Sequence, residues 1–212
     1  MVRPVTLLAG VLTFAALVGA AHGGVLATDG NAMADWQGTR AFDTGDLFGI
    51  TVFTADIDYA VYAPGTFSLT PQAGAVPEAD EYVYAYQIVD VADGVMGTAH
   101  VERYSVGLNG GNEQPGVIGY VEVPPGDGDV NPSNSAFGYL TAGWDFNTGV
   151  YEDEISPVLY FSSPFGPEWD TASVTGTMSA GDTKLMPSPA PEPGTIALLA
   201  VGAAALLRRR NT

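Results

Sequence analysis

The fold is decided by one stretch in the middle of the chain, Glu81-Tyr82-Val83-Tyr84-Ala85-Tyr86-Gln87-Ile88-Val89-Asp90-Val91. Aromatic and β-branched residues dominate this stretch, and both types favour β-strands. Successive side chains of a strand point to opposite faces. One face therefore carries Tyr82, Tyr84, Tyr86 and Ile88, and the other carries Val83, Ala85 and Val89. Because both faces are apolar, the stretch predicts a central strand that is covered on both sides.

Similar short runs lie on either side of this stretch and are separated by Gly, Pro, Asn and Asp residues. They occupy residues 47–53, 57–63, 98–108, 117–123, 137–146, 158–162 and 172–178. Helical periodicity is weak and confined to residues 32–40, and we find no repeat of fixed period. The pattern predicts an all-β, antiparallel β-sandwich or jelly-roll-like single domain of about eight to ten short strands.

Both ends of the chain differ in composition from the middle. Residues 1–23 contain one cation, Arg3, then an apolar run and small residues, which is typical of a helical secretory signal peptide. Residues 195–207 carry no charge and precede Arg208, Arg209 and Arg210. Thirteen helical residues reach about 20 Å, against about 30 Å of bilayer hydrocarbon. We therefore predict a signal peptide at 1–23, a β-sandwich domain at 24–186, and a sorting segment with a short apolar helix at 187–212.

Charge and cysteine content exclude several classes of function. The chain has 212 residues and a formal net charge of −17. Once the two end segments are set aside, three basic and 23 acidic residues remain, a net charge of about −20. Such a surface repels nucleic acid and anionic lipid, because phosphate binding needs clustered Lys and Arg. The absence of cysteine excludes thiol catalysis and thiolate metal sites.

One short loop has the beginning of a calcium-binding pattern. Gly126-Asp127-Gly128-Asp129-Val130-Asn131 places oxygen ligands at alternate positions, as calcium loops do. The next residue is Pro132 where an EF-hand needs glycine, and Gly138 stands where it needs a bidentate Glu. An EF-hand is therefore excluded. A shallow calcium site at Asp127, Asp129 and Asn131 is one alternative, and a turn rich in Asx residues is the other.

Three further features have both a catalytic or binding interpretation and a structural one. His100 is available to a His-based site or to packing. Glu152-Asp153-Glu154 could supply glycosidase carboxylates or form a solvated turn. Trp36, Trp144, Trp169 and the tyrosine row could stack on sugar rings or pack in the core. No Gly-x-Ser-x-Gly, His-Glu-x-x-His or phosphate-loop motif is present. We therefore predict a protein without catalytic activity and without a required cofactor.

The C-terminal segment resembles the PEP-CTERM sorting signal of Gram-negative bacteria. The resemblance rests on Pro191-Glu192-Pro193, the short apolar run after it, and the cluster Arg208 to Arg210. It implies recognition by an exosortase, a membrane-embedded cysteine transpeptidase or protease, after passage through the secretion machinery. It also implies transient anchoring through 195–207, removal of the helix, and delivery to the envelope surface or the exterior. An ordinary C-terminal membrane anchor is the alternative.

The middle of the chain resembles a recurrent β-rich module of exported PEP-CTERM proteins, of planctomycete type. The residues that carry this resemblance are 58–65, 82–88 and 161–164. No activity is implied by it. The sequence therefore predicts an exported structural or binding protein of the cell surface or extracellular matrix. The alternatives are a carbohydrate-binding or calcium-assisted adhesion module, with extracellular polysaccharide as partner, and a secreted hydrolase.

Overall fold

A computed structural model describes residues 26–45, 50–71, 76–94, 100–108, 116–121, 130–176 and 180–190. Regular structure in these ranges consists of two short 3-10 turns, Leu26–Thr28 and Ala34–Trp36, and ten β-strands. The strands are β1 (Gln37–Gly45), β2 (Thr51–Tyr62), β3 (Tyr82–Asp93), β4 (His100–Gly107), β5 (Ile118–Val121), β6 (Asn134–Phe137), β7 (Thr141–Tyr151), β8 (Val158–Ser163), β9 (Pro167–Gly176) and β10 (Gly181–Pro189). The predicted all-β class is confirmed. The predicted signal and C-terminal helices lie outside the described residues.

The strands form two antiparallel sheets of five strands each. Sheet A has the order β1-β2-β3-β8-β5, and sheet B has the order β10-β9-β4-β7-β6. The chain builds β1, β2 and β3 as a meander and then passes between the sheets several times before it closes with β9 and β10. Residues distant in sequence are therefore neighbours in each sheet.

β3 is the central strand of sheet A, as its sequence predicts. It pairs with β2 on one side and with β8 on the other. Tyr84, Tyr86 and Ile88 belong to the core between the sheets, whereas Val83 and Ala85 belong to a second cluster on the outer face. The ladder between β2 and β3 shifts between Asp56 and Ile57, so that Val89 is an extra residue on β3. This bulge lets Val91 return to the core face.

Aromatic side chains from both sheets meet in the core. Tyr86 of sheet A lies 5.4 Å, between ring centroids, from Tyr104 of sheet B. Trp144 of sheet B stacks on Tyr104 at 6.0 Å and lies 6.4 Å from Phe161 of sheet A. The Trp144 indole also donates a hydrogen bond of 3.0 Å to the carbonyl of Gly119, which joins the sheets. The two sheets therefore pack face to face.

A loop and an N-terminal segment cover the outer face of sheet A. Phe67, in the connection between β2 and β3, packs on Tyr62 at 5.0 Å and on Tyr160 at 5.6 Å. Leu26 is fully buried in the same cluster. Because sheet A is covered on both sides, β3 has apolar residues at nearly every position rather than an alternating pattern.

Some strand positions differ from the sequence-based prediction. The predicted strands 47–53 and 57–63 are replaced by one continuous strand from Thr51 to Tyr62, with residues 46–49 outside the described set. The weak helical pattern at 32–40 corresponds to a single 3-10 turn followed by β1. The predicted run 137–146 divides at the turn 138–140 between β6 and β7. In each case long-range pairing sets the strand limits, and local propensity is too weak to oppose it.

β10 was not predicted, because it contains Pro187 and Pro189. It is an edge strand that pairs only with β9, so the missing N–H groups of the two prolines remove no bond that the sheet requires. The strand continues to Pro189, three residues past residue 186, where the sequence places the end of the domain.

Candidate functional site

His100 is packed at the start of β4. Its Nε2 lies 3.1 Å from Glu102 Oε1, and its ring lies 4.7 Å from the ring of Tyr151. Gly149 lies against the same ring with a φ of +74°, and a Cβ at that position would overlap the imidazole. The His100 ring therefore occupies the space that the missing side chain of Gly149 leaves open. This arrangement fits the interpretation of His100 as a packed structural residue.

The acidic run at 152–154 forms a turn after β7. Glu154 Oε2 accepts a hydrogen bond of 2.8 Å from the backbone N–H of Tyr151, and the N–H of Glu154 donates back to the Tyr151 carbonyl at 3.1 Å. Asp153 has a left-handed φ of 64°. Glu154 thus closes the turn with its side chain, while Glu152 and Asp153 are exposed. The Glu154 carboxylate is therefore held by the backbone of its own turn.

The predicted calcium ligands are only partly covered by the described ranges. Asn131 is described and exposed, whereas Asp127 and Asp129 lie outside the described residues. Within those residues, no group of three His, Cys, Asp or Glu side chains has the spacing of a metal site. The calcium site at Asp127, Asp129 and Asn131 stays a prediction.

The aromatic candidates divide between core and surface. Trp144, Tyr84 and Tyr86 are buried in the core and cannot stack on a ligand. Trp169 is 38% exposed, but Trp36 stacks on it at 5.0 Å and the Arg40 guanidinium lies 5.3 Å from its centroid. Trp36, which directly precedes β1, and Trp169 of β9 thus form a small aromatic surface.

Two features of sheet A were not predicted from sequence. Asp56 and Asp90 are paired across β2 and β3, and burial, the Asp90 charge and the Asp58 charge raise the pKa of Asp56. A cleft of about 220 Å³ also opens beneath the connection between β2 and β3. Phe67 and Glu81 line it, and Glu81 Oε2 accepts a hydrogen bond of 2.6 Å from Ser162 Oγ. Neither feature has a local motif, because each depends on pairing between distant residues.

The end of β10 is held firmly by the rest of the domain. The Tyr86 hydroxyl donates to the Pro187 carbonyl, and Ser188 Oγ donates to the Gly107 carbonyl at 2.6 Å. One residue after the strand, the N–H of Ala190 donates to the Gly166 carbonyl at 2.8 Å. The folded domain thus continues up to Ala190, and Pro191-Glu192-Pro193 follows directly.

Comparison with protein families identifies what begins at this point. Residues 189–211 match the PEP-CTERM protein-sorting motif. The match begins at Pro189, the last residue of β10. It includes Pro191, Glu192, Pro193, Arg208, Arg209 and Arg210, the residues that the sequence singled out. No curated protein and no solved structure matches the chain significantly.

The PEP-CTERM motif is consistent with an exosortase substrate, and it indicates an exported protein that is sorted to the cell surface. Its prolines, apolar run and arginines lie outside the described residues. In the described ranges, no helix has the length and apolar character needed to cross a membrane. Transient anchoring through 195–207 therefore stays a prediction, as do the three segment boundaries.

Proposed function

We propose that this chain is a structural or binding protein of the cell envelope or extracellular matrix, delivered there by an exosortase. The single observation that carries the proposal is the PEP-CTERM motif at 189–211, which begins at Pro189, the last residue of β10, and so joins the folded β domain directly. In this proposal residues 1–23 direct secretion, 195–207 anchor the chain transiently in the inner membrane, and the β domain is the exported cargo. The jelly-roll-like topology and the planctomycete-type module belong to the same proposal.

The sorting step is tested by the C-terminal peptides of the protein recovered from the envelope. We expect them to end before Thr195 in cells with an exosortase and to include Arg208 in cells without one. Glu192→Ala should slow the processing, and Glu152→Ala, an exposed acid outside the motif, should leave it unchanged. Recovery of the intact arginine cluster from the envelope of normal cells would overturn the proposal.

The proposal assigns the β domain no catalytic activity and no cofactor. Glu154 is engaged in its own turn, and Glu152 is exposed beside it. A hydrolytic activity that is present in the purified protein and lost in Glu152→Gln or Glu154→Gln would contradict this assignment.

A second candidate function, polysaccharide binding, is favoured by the outer face of sheet B. A row of short side chains crosses all five strands, in the order Thr183, Ser173, Ser105, Gly143 and Ala136. Ser105 Oγ and Ser173 Oγ lie 2.9 Å apart. Five strands at about 4.8 Å spacing make a shallow surface roughly 19 Å across, lined by hydroxyl groups. The Arg103 guanidinium lies over Gly143 in this row and pairs with Asp145 at 3.0 Å, so its charge is balanced there.

Glycan arrays with and without calcium test this candidate. Ser173→Arg would block the middle of the row and should abolish binding of neutral polysaccharide, whereas Ser68→Arg, on an exposed loop, should not. Dependence of the binding on calcium would support the site at Asp127, Asp129 and Asn131. Equal binding by both arginine variants would exclude this face of sheet B.

A further inference from the structure

Several exposed apolar side chains lie at the end of the sandwich from which the sorting segment leaves. Tyr139 and Leu140, in the turn between β6 and β7, are 89% and 46% exposed. Trp169 is 38% exposed and pairs in register with Pro187. Leu185 of β10 is 56% exposed. Leu185 lies in the middle of β10, and Tyr151, 42% exposed, lies at the other end of β7. Tyr139 is the most exposed of these large side chains, and with Leu140 and Trp169 it makes the end from which the sorting segment leaves a candidate contact surface.

Two hydrogen bonds connect this group to the end of β10. Ser188 Oγ binds the Gly107 carbonyl at 2.6 Å, and the N–H of the next residue, Leu108, binds the Leu140 carbonyl at 2.8 Å. The antiparallel register of sheet B places the start of β7 at the same end of the sandwich as the end of β10. We call this end, which contains Tyr139, Leu140 and Trp169, the tail-side end.

The distance between the domain and the apolar run is short. Ala190, the last residue that the structure describes, donates a hydrogen bond to the Gly166 carbonyl, and the uncharged run begins at Thr195. Five residues span at most about 17 Å when fully extended. Pro191 and Pro193 further restrict this tether. Once the apolar run enters a membrane, the tail-side end must therefore lie close to the lipid headgroups.

The chemistry of the tail-side end suits such a contact. Trp and Tyr side chains are enriched at the boundary between water and lipid, because one part of each ring system is polar and the rest is apolar. The strongly acidic charge of the domain opposes binding to anionic lipid, so attraction by charge cannot hold it there. A short tether supplies the necessary high local concentration.

We propose that, before cleavage, the short tether holds the tail-side end of the sandwich against the outer surface of the membrane, where Tyr139, Leu140 and Trp169 contact the lipid headgroup region. This inference rests on the proposed function, because it requires that residues 195–207 anchor the chain. It adds that the domain stands upright on the membrane and presents one defined end to it.

Labels at the two ends of β7 test the orientation. The chain has no cysteine, so Leu140→Cys and Glu152→Cys each allow one fluorophore to be attached. Leu140 precedes β7 and Glu152 follows it, and β7 pairs with seven residue steps of β4, from Gly107 to His100, so the two ends of the strand lie about 24 Å apart. The full chain is incorporated into phosphatidylcholine vesicles that contain lipid with a nitroxide on its headgroup. We expect the label at 140 to be quenched about twofold or more relative to the label at 152, because a nitroxide quenches at short range and only the label at 140 lies near the headgroups.

A lengthened tether provides the second variant. Twenty Gly and Ser residues inserted between Ala190 and Pro191 have a mean end-to-end distance of about 25 Å. We expect this insertion to remove most of the quenching at 140. Equal quenching of the two labels, or quenching at 140 that the insertion leaves unchanged, would overturn the inference.

Vesicle flotation separates this inference from the proposed function. If the chain floats with the vesicles and the label at 140 is not quenched, the orientation is wrong and the anchor stands. If the chain does not float with the vesicles, the anchoring part of the proposed function is wrong, and the orientation fails with it.

Discussion

Two tyrosines in contact at the centre of the core should respond in opposite ways to removal of their hydroxyl groups. Tyr86 and Tyr104 are both buried, with ring centroids 5.4 Å apart. The Tyr86 hydroxyl donates to the Pro187 carbonyl. The Tyr104 hydroxyl has no hydrogen-bond partner among the residues that the structure describes. Phenylalanine at either position keeps the ring and removes only the oxygen.

The magnitudes follow from what each oxygen does. Burial of a hydroxyl without a hydrogen-bond partner costs about 1–3 kcal/mol of stability. Tyr104→Phe removes this cost but also removes the packing contacts of the oxygen, so the net result should be a stabilisation of the domain by about 1 kcal/mol. Tyr86→Phe leaves the Pro187 carbonyl buried and unpaired, which should destabilise the domain by about 1–3 kcal/mol. For a domain of this size, 1 kcal/mol corresponds to about 2–4 °C in Tm.

Urea denaturation followed by tryptophan fluorescence measures both changes. Trp144 packs against both tyrosines, at 6.0 Å from Tyr104 and 6.1 Å from Tyr86, and so reports on this part of the core. Because the two rings touch, the double variant need not equal the sum of the single variants. A loss of about 1 kcal/mol or more in Tyr104→Phe would refute the reasoning, since it would mean that the hydroxyl is satisfied.

Three other perturbations test the electrostatics and the backbone. Burial raises the pKa of Tyr86 and of Tyr104, so the unfolded chain loses these protons at a lower pH than the folded domain does. The contribution of each tyrosine to stability should therefore be constant below about pH 10 and fall above it by about 1.4 kcal/mol per pH unit, a slope that Tyr104→Phe should reduce in alkaline denaturation. Burial, and then the charges of Asp90 and Asp58, raise the pKa of Asp56, so Asp56→Asn should stabilise the domain at pH 7. The gain should be less than about 1 kcal/mol because the site is partly exposed, and it should disappear as the pH falls through the raised pKa towards 3.8. An equal gain at pH 3 in thermal unfolding would contradict this cause. Gly149→Ala should destabilise the domain by about 2 kcal/mol or more, because the φ of Gly149 is +74° and the added Cβ would overlap the His100 ring. The control Gly30→Ala, where a Cβ would have nothing within 4 Å, should change the free energy of unfolding by less than about 0.5 kcal/mol. Similar values for the two variants would show that the His100 contact is not tight.

The central strand and the sorting motif could both be predicted from local patterns. Residues 81–91 contain enough apolar side chains on both faces to specify a covered strand, and β3 occupies nearly these positions. The sorting motif is a linear signal, so Pro191-Glu192-Pro193 and the arginine cluster carry it without any folded partner. Both are properties of consecutive residues.

Other parts of the fold depend on distant residues. The bulge at Val89 exists because the register between β2 and β3 shifts by one residue between Asp56 and Ile57. β10 contains two prolines and would not form alone, but β9 supplies its ladder and Tyr86 binds its Pro187 carbonyl. The polar row on sheet B likewise joins residues from five separate segments.

The sequence by itself determined the all-β class, the acidic and cysteine-free character of the domain, and the sorting segment, because each follows from composition or from neighbouring residues. The tertiary structure alone decided that the folded domain extends to Ala190, so that its last strand overlaps the first residue of the sorting motif, and that Tyr139, Leu140 and Trp169 are exposed at that end. The physical reason is that an edge strand and a surface are held by hydrogen bonds and contacts between residues far apart in the chain, and no local pattern encodes those.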